Sequence, residues 1–311
     1  MRQDVSFLSH GLTCRGWLYT PEGSQEGRRL PTIVMAHGFS AVKEMYLTHF
    51  ANQFADAGFA VLLFDYRHLG ASEGEPRGQL FPWDQIEDYR NAITFARQRP
   101  EVDSERIGIW GTSYSGGHVL VVGALDRRVK CVVAQVPLID GWANVRRIAV
   151  DEDVDGLLAA LQQDREQRST SGAVNYVPVV AQDRNCALPT ADSYRWFTET
   201  HQAMAPSWEN RVTLESVEQL LAYSPGTYLP RISPTPLLLV VADQDILTPT
   251  DLAVAAYERA LEPKKLVLVH GGHFDAYTVG FAESAGAATA WFRQHLQAAV
   301  PAGAAVATPE P

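Results

Sequence analysis

The sequence predicts an α/β fold: a mostly parallel sheet flanked by helices, with an inserted, mostly helical cap. Three observations predict it. Short, near-continuous apolar runs recur along the chain, as expected of parallel strands covered on both faces. Amphipathic stretches of helical length separate those runs, so strands and helices alternate. Between Pro137 and Pro236 the rhythm stops for roughly 100 residues, far longer than an ordinary connection.

Val5 to Ser9 and Leu12 to Tyr19 read as an antiparallel hairpin turning at His10-Gly11. Beyond the polar loop Pro21 to Leu30, six apolar runs follow: Thr32 to Ala36, Phe59 to Phe64, Arg106 to Trp110, Lys130 to Gln135, Leu237 to Val241 and Leu266 to Val269. Helices are expected at Glu44 to Ala57, Trp83 to Arg99, Tyr114 to Gly123, Asp251 to Leu261 and Ala282 to Gln297. Residues 1–137 and 236–300 therefore make the core, and 138–235 the cap. Within the cap, Val154 to Gln163 and Leu214 to Leu221 have helical patterns, and Trp196, Phe197, Trp208 and Tyr223 supply apolar anchors that argue against disorder. Residues 301–311, rich in Ala, Pro and Gly, are expected to form a flexible tail.

Composition excludes several classes of function. With 46% hydrophobic and 20% charged residues, the 311-residue chain can bury an ordinary core. Lys and Arg number 26 against 36 Asp and Glu, a net charge of −10, and no basic run offers a footprint for nucleic acid. The N-terminus lacks an export signal, and no apolar segment reaches the ~20 residues of a membrane span. Cys14, Cys131 and Cys186 are odd in number and far apart, which suits reduced thiols in the cytoplasm; none has a Cys or His partner at metal-ligand spacing. The sequence leaves a homo-oligomer open.

The chemistry concentrates at strand ends. The strand ending at Trp110 runs into Gly111-Thr112-Ser113-Tyr114-Ser115-Gly116-Gly117 and then a helix. A serine on such a tight turn needs small neighbours, and Gly111 and Ser115 flank Ser113 where the usual pattern has two glycines. A serine hydroxyl is a poor nucleophile, so a base must take its proton and a third group must orient the base. Asp243 and Asp245 follow the strand Leu237 to Val241, and His270 and His273 follow the next, which puts acid and base after the serine at the edge where open α/β sheets place ligands. His273 is preceded by two glycines that permit close approach, whereas His270 ends its strand and is expected to point into packing. Amides of Phe39, after His37-Gly38, and of Tyr114 are candidate donors to an oxyanion. The segment Asp65 to Ser72 reads as a brace near the nucleophile, with Arg67 and His68 away from substrate. Asp84, Glu87 and Asp88 read as a solvated helix face.

These residues together resemble the α/β-hydrolase superfamily over most of the chain outside the cap. His37-Gly38 with Lys43-Glu44, Phe64-Asp65-Tyr66-Arg67, Gly111 to His118, and Gly271-Gly272-His273-Phe274-Asp275 resemble more narrowly the dienelactone-hydrolase-like group that includes fungal polyketide transferases. The family's G-x-x-D pattern, with Ala242 in the glycine position, selects Asp245 over Asp243. Dienelactone hydrolases proper use a cysteine nucleophile, where this chain has Ser113. The resemblance implies acyl transfer through Ser113, with no metal or organic cofactor and a small acyl substrate.

The expected function is hydrolysis of a carboxylic ester, thioester or lactone through an acyl-enzyme on Ser113. An acyltransferase would use the same triad. A peptidase ranks lower, for want of a charged cluster assignable to a peptide terminus. A non-catalytic binding protein ranks lower still, because such proteins usually lose a catalytic residue.

Overall fold

A computed structural model of the chain describes residues 1–23, 27–148, 151–183 and 185–297; the tail expected at 301–311 lies outside them. The chain opens with β1 (Arg2–Ser9) and β2 (Leu12–Tyr19), an antiparallel pair. Their turn places His10 at φ 50° and Gly11 at φ 81°, the left-handed pair that a two-residue hairpin of matching twist requires.

The α/β alternation then follows: β3 (Leu30–Ala36), α1 (Leu47–Asp56), β4 (Ala60–Phe64), α2 (Pro82–Arg97), β5 (Val102–Thr112), α3 (Tyr114–Leu125) and β6 (Val129–Gln135). Helix α1 starts three residues later than the apolar pattern suggests, because Tyr46 sits at φ 62° and breaks the helical path before Leu47. The insertion carries α4 (Gly141–Ile148), α5 (Asp151–Ser171), β7 (Tyr176–Val177), α6 (Ala191–Met204), β8 (Val212–Thr213) and α7 (Leu214–Leu221). Helix α5 is thus twice the length expected from Val154 to Gln163. The core resumes with β9 (Leu237–Ala242), α8 (Thr250–Arg259), β10 (Lys264–Val269) and α9 (Phe281–Phe292).

Eight strands form one sheet in the order β1-β2-β4-β3-β5-β6-β9-β10, parallel from β4 onward. Alternate residues of a central strand feed opposite layers: Ile33 and Met35 pack with α1 and α9, Val34 and Ala36 with α2 and α3. Burial on both faces is why these strands read as unbroken apolar runs. The carboxyl ends of β3, β5, β9 and β10 lie along one edge, which gathers the loops carrying Phe39, Ser113, Asp245 and His273.

Three expectations fail. Leu266 to Val269 is not covered on both faces: it lies in β10, the edge strand, where Leu268 is half exposed. Asp88 is fully buried on α2, where its carboxylate accepts the Arg67 Nε–H at 2.8 Å and the Arg67 backbone N–H at 3.1 Å. It lies three residues after buried Gln85 and four before buried Ala92, on the packed face of the helix. His270 points outward with its side chain 82% exposed, because β10 is an edge strand, and its Nδ1 lies 3.1 Å from Asp243.

Candidate active site

Ser113 sits between β5 and α3 at φ 59° and ψ −119°, a conformation that costs a non-glycine residue about 1–3 kcal/mol. The surroundings hold it there. Its N–H donates to the Gln135 carbonyl at 2.9 Å, and its own carbonyl accepts from Leu138 at 2.9 Å and Gly117 at 3.1 Å. A Cβ at Gly111 would stand 2.2 Å from the Ser115 carbonyl oxygen, so only glycine fits before this turn. Ser115, where a glycine is usual, is buried, and its hydroxyl lies 2.7 Å from that of Tyr66.

His273 reaches Ser113 from the loop after β10. Its Nε2 lies 3.1 Å from the Ser113 Oγ and its Nδ1 2.8 Å from the Asp245 carboxylate. The turn after β9 fixes that carboxylate: Oδ1 accepts the backbone N–H groups of Leu247 at 2.9 Å and Thr248 at 2.8 Å. The Thr248 hydroxyl lies 2.9 Å from Asp245 Oδ2 and 3.1 Å from His273 Nδ1. Asp243 instead accepts from Gly271, which holds its carboxyl below the usual range, and makes no bond to His273. The structure therefore brings Ser113, His273 and Asp245 into one hydrogen-bonded chain and leaves Asp243 and His270 outside it. Thr248 escaped the sequence reading, since a threonine in a turn carries no pattern of its own.

The loop after β3 closes on the serine from the other side. A Cβ at Gly38 would lie 2.9 Å from the Ser113 Cβ and 3.4 Å from its Oγ. The next residue is Phe39, whose amide meets no acceptor among the described residues. Tyr114 opens α3, and the first amides of a helix have no partner inside it. Buried Asp65 anchors the loop: it accepts the Lys43 backbone N–H at 2.8 Å and the Lys43 ammonium at 2.6 Å. Arg67 and His68 face away, Arg67 bridging Asp88 to Ser9 on β1.

Above Ser113 lies a cavity of about 20 Å³ lined by Phe39, Met45, Leu188, Trp196, Phe197, Leu247, Phe274 and Tyr277. Of the four insertion aromatics, Trp196 and Phe197 line it. Trp208 stands beyond Phe197 and donates its indole N–H to the Ser40 carbonyl at 2.7 Å. Tyr223 packs beneath the elbow, its hydroxyl 3.0 Å from His118 Nδ1. His118, missed because α3 is apolar all round, is fully buried, and burial lowers its pKa to about 3. Among the described residues, no group of three or more His, Cys, Asp or Glu could hold a metal ion, and no helix is long and apolar enough to cross a membrane.

A doubly wound sheet with a serine, histidine and carboxylate at its carboxyl edge defines an α/β hydrolase. The profile of the S15 family, described as X-Pro dipeptidyl-peptidase, matches residues 15–275, and the chain belongs to that family. It is 36% identical over 281 residues to the quorum-quenching protein AidA of Acinetobacter baumannii, covering 88% of each chain. A thiohydrolase of Eupenicillium brefeldianum is 32% identical over 281 residues, again with 88% of each covered. A polyketide transferase of Penicillium, grgF, is 32% identical over 276 residues, 88% of this chain and 90% of that one. The crystal structure of the Penicillium α/β hydrolase GrgF superposes with a TM-score of 0.82 at 28% identity, over 96% of this chain and 99% of that chain. The chain is an enzyme of this superfamily, and the resemblance to the polyketide transferase group holds.

Proposed function

We propose that the chain hydrolyses a carboxylic thioester, ester or lactone through an acyl-enzyme on Ser113, with residues 138–235 as a cap over the acyl site. The observation that carries this reading is the chain Ser113–His273–Asp245, with links of 3.1 and 2.8 Å, beneath an apolar cavity. In the proposed cycle Ser113 Oγ attacks the carbonyl carbon and its proton passes to His273 Nε2, while Asp245 holds the ring and offsets the charge of the imidazolium. The oxyanion takes the amides of Phe39 and Tyr114. Collapse expels the leaving thiol or alcohol, which His273 protonates. Water then gives a proton to His273 and its oxygen to the acyl carbon; on collapse the C–O bond to Ser113 breaks, His273 returns the proton to Ser113 Oγ, and the acid departs. A cavity of about 20 Å³ holds roughly one water, so an acyl chain enters by displacing the side chains that wall it.

The likeness to relatives named thiohydrolase and quorum-quenching protein supports this substrate class. The peptidase named in the family description is less well supported: none of the cavity-lining residues is acidic, so nothing there meets the ammonium of a peptide N-terminus. Acyl transfer has a specific observation in its favour. Next to the cavity walls Leu188 and Leu247, a groove of about 500 Å³ lined by Pro189, Tyr194 and Ile246 offers room for an acceptor. The scattered cysteines, two of them buried, support a cytoplasmic enzyme acting on a small molecule.

Fluorophosphonate labelling tests the reading, followed by assay with p-nitrophenyl esters and acyl thioesters of increasing length. The expected result is stoichiometric labelling at Ser113 and loss of all turnover in Ser113→Ala with an unchanged circular dichroism spectrum. Activity of Ser113→Ala within tenfold of wild type would sink it. Product partitioning with added alcohols separates hydrolysis from transfer.

A further inference from the structure

Trp208 lies outside the acyl cavity, yet it links the insertion directly to the tip of the loop that carries the Phe39 amide. Residues 38–41 form a turn closed by the Ala41 N–H on the Gly38 carbonyl at 3.3 Å, with Phe39 and Ser40 at its tip. Ser40 takes φ 54° there, a left-handed position that glycine or asparagine usually fills. A serine stays in it only where its surroundings hold it. Its side chain does not supply that hold: Ser40 is 1% exposed and its Oγ has no hydrogen-bond partner among the described residues. The Ser40 carbonyl, by contrast, accepts the Trp208 indole N–H at 2.7 Å in a buried contact.

We infer that Trp208 is a positioning residue, whose indole N–H fixes the turn at Ser40 and so aims the adjacent Phe39 amide at the oxyanion. This rests on the acyl-enzyme reading above. The indole is itself held in place, stacked on Phe197 with ring centres 5.2 Å apart and planes 27° apart. Phe197 walls the acyl cavity, so an acyl chain that displaces Phe197 presses on the ring that holds the oxyanion turn. Lys43 and Asp65 hold the far end of the same loop from the core. The turn is thereby fixed from both parts of the chain, and loss of either hold frees the amide to drift. Misplacement of a catalytic donor by ~1 Å costs on the order of 100-fold in rate, so a partial release is expected to cost about tenfold.

The test replaces Trp208 by Phe, which keeps an aromatic ring against Phe197 and removes the donor. The isosteric benzothienyl-alanine at the same position removes the N–H with no change of volume. Trp291→Phe is the control, a buried indole N–H without a partner among the described residues, on α9 and away from the site. Expected are a fall of about tenfold in kcat with KM within twofold, and an equal fall in affinity for a trifluoromethyl ketone of the same acyl chain, which mimics the tetrahedral intermediate. Affinity for the unreactive methylene analogue of that ketone should stay within twofold. A role in packing alone would weaken both ligands together, and that outcome, or an unchanged kcat in the benzothienyl protein, overturns the inference. The two failures are separable. A wild-type protein inert to fluorophosphonate removes the acyl-enzyme reading, whereas a reactive wild type with an equally reactive Trp208 variant removes only the role of Trp208.

Discussion

Replacing Gly38 by alanine adds one methyl group at the point where the β3 loop touches Ser113, the proposed nucleophile. The new Cβ would stand 2.9 Å from the Ser113 Cβ, 3.2 Å from the Thr112 carbonyl oxygen and 3.4 Å from the Ser113 Oγ. Carbon atoms rest about 3.5–4.0 Å apart, so the loop and the elbow must separate by roughly 0.6–1.1 Å. Gly38 does not sit at a left-handed φ, so alanine meets no backbone penalty and the effect is steric. On the proposed mechanism, a shift of that size between Ser113 and the Phe39 amide is worth about 100-fold in kcat/KM. Overpacking should lower stability by only about 1–3 kcal/mol, leaving the protein folded for assay. The measurement is kcat/KM on a p-nitrophenyl ester at a temperature where circular dichroism shows both proteins native. Activity within threefold of wild type would refute the argument, because it would mean that the loop's distance from Ser113 does not control the chemistry.

Asp245→Asn should lower kcat by on the order of 10³–10⁴-fold, while Asp243→Asn, whose carboxylate serves Gly271 and His270, should cost less than threefold; the reverse ranking in steady-state assays moves the orienting role to Asp243. Phe197→Ala should change the ratio of kcat/KM for long against short acyl esters by at least about tenfold, whereas Tyr223→Ala, beneath the elbow, should leave that ratio within twofold. The His118 pKa, lowered by burial to about 3, sets a pH dependence of stability. Between about pH 6.5 and 3 the unfolded chain binds a proton at this residue that the folded chain refuses, so stability falls as the pH drops, by up to about 1.4 kcal/mol per unit. Urea unfolding from pH 7 to 4 should show a shallower acid slope in His118→Gln than in wild type, and identical slopes would reject the assignment.

How far the fold was legible depends on where each element is buried. The apolar runs of β3, β4, β5, β6 and β9 are covered on both faces, so nearly every residue in a run reports the same environment and the run is visible without topology. The positions of Ser113, Asp245 and His273 were legible for a related reason: Ser113 and Asp245 follow such strands within a few residues, His273 follows the edge strand β10, whose short apolar run is still visible, and strand ends in a parallel sheet share one edge. His270 was misread because its environment depends on β10 being the last strand, a property of the whole sheet that no local pattern carries. Asp88 was misread although a signal existed, since its spacing from Gln85 and Ala92 puts it on the packed face of α2 and Arg67 is the cation that makes burial tolerable.

The insertion resisted reading because an aromatic residue there satisfies two demands that look alike in sequence. Trp196 and Phe197 wall the cavity and also stack on the rings beside it, Phe274 on Trp196 and Trp208 on Phe197, so lining and core are the same residues seen from two sides. On the proposed function, the division into a catalytic core and a specificity cap therefore breaks down at the turn proposed to carry the oxyanion donor, whose loop Lys43 and Asp65 bind from the core while Trp208 binds it from the insertion. If the proposed acyl site and the inferred role of Trp208 hold, such an insertion cannot vary its pocket freely, because a change at Phe197 disturbs the ring stacked on it, whose N–H the Ser40 carbonyl accepts. Substitutions that retune acyl length without loss of kcat are accordingly expected at Leu188 and Met45, which line the cavity without stacking on Trp208, before they are found at Phe197.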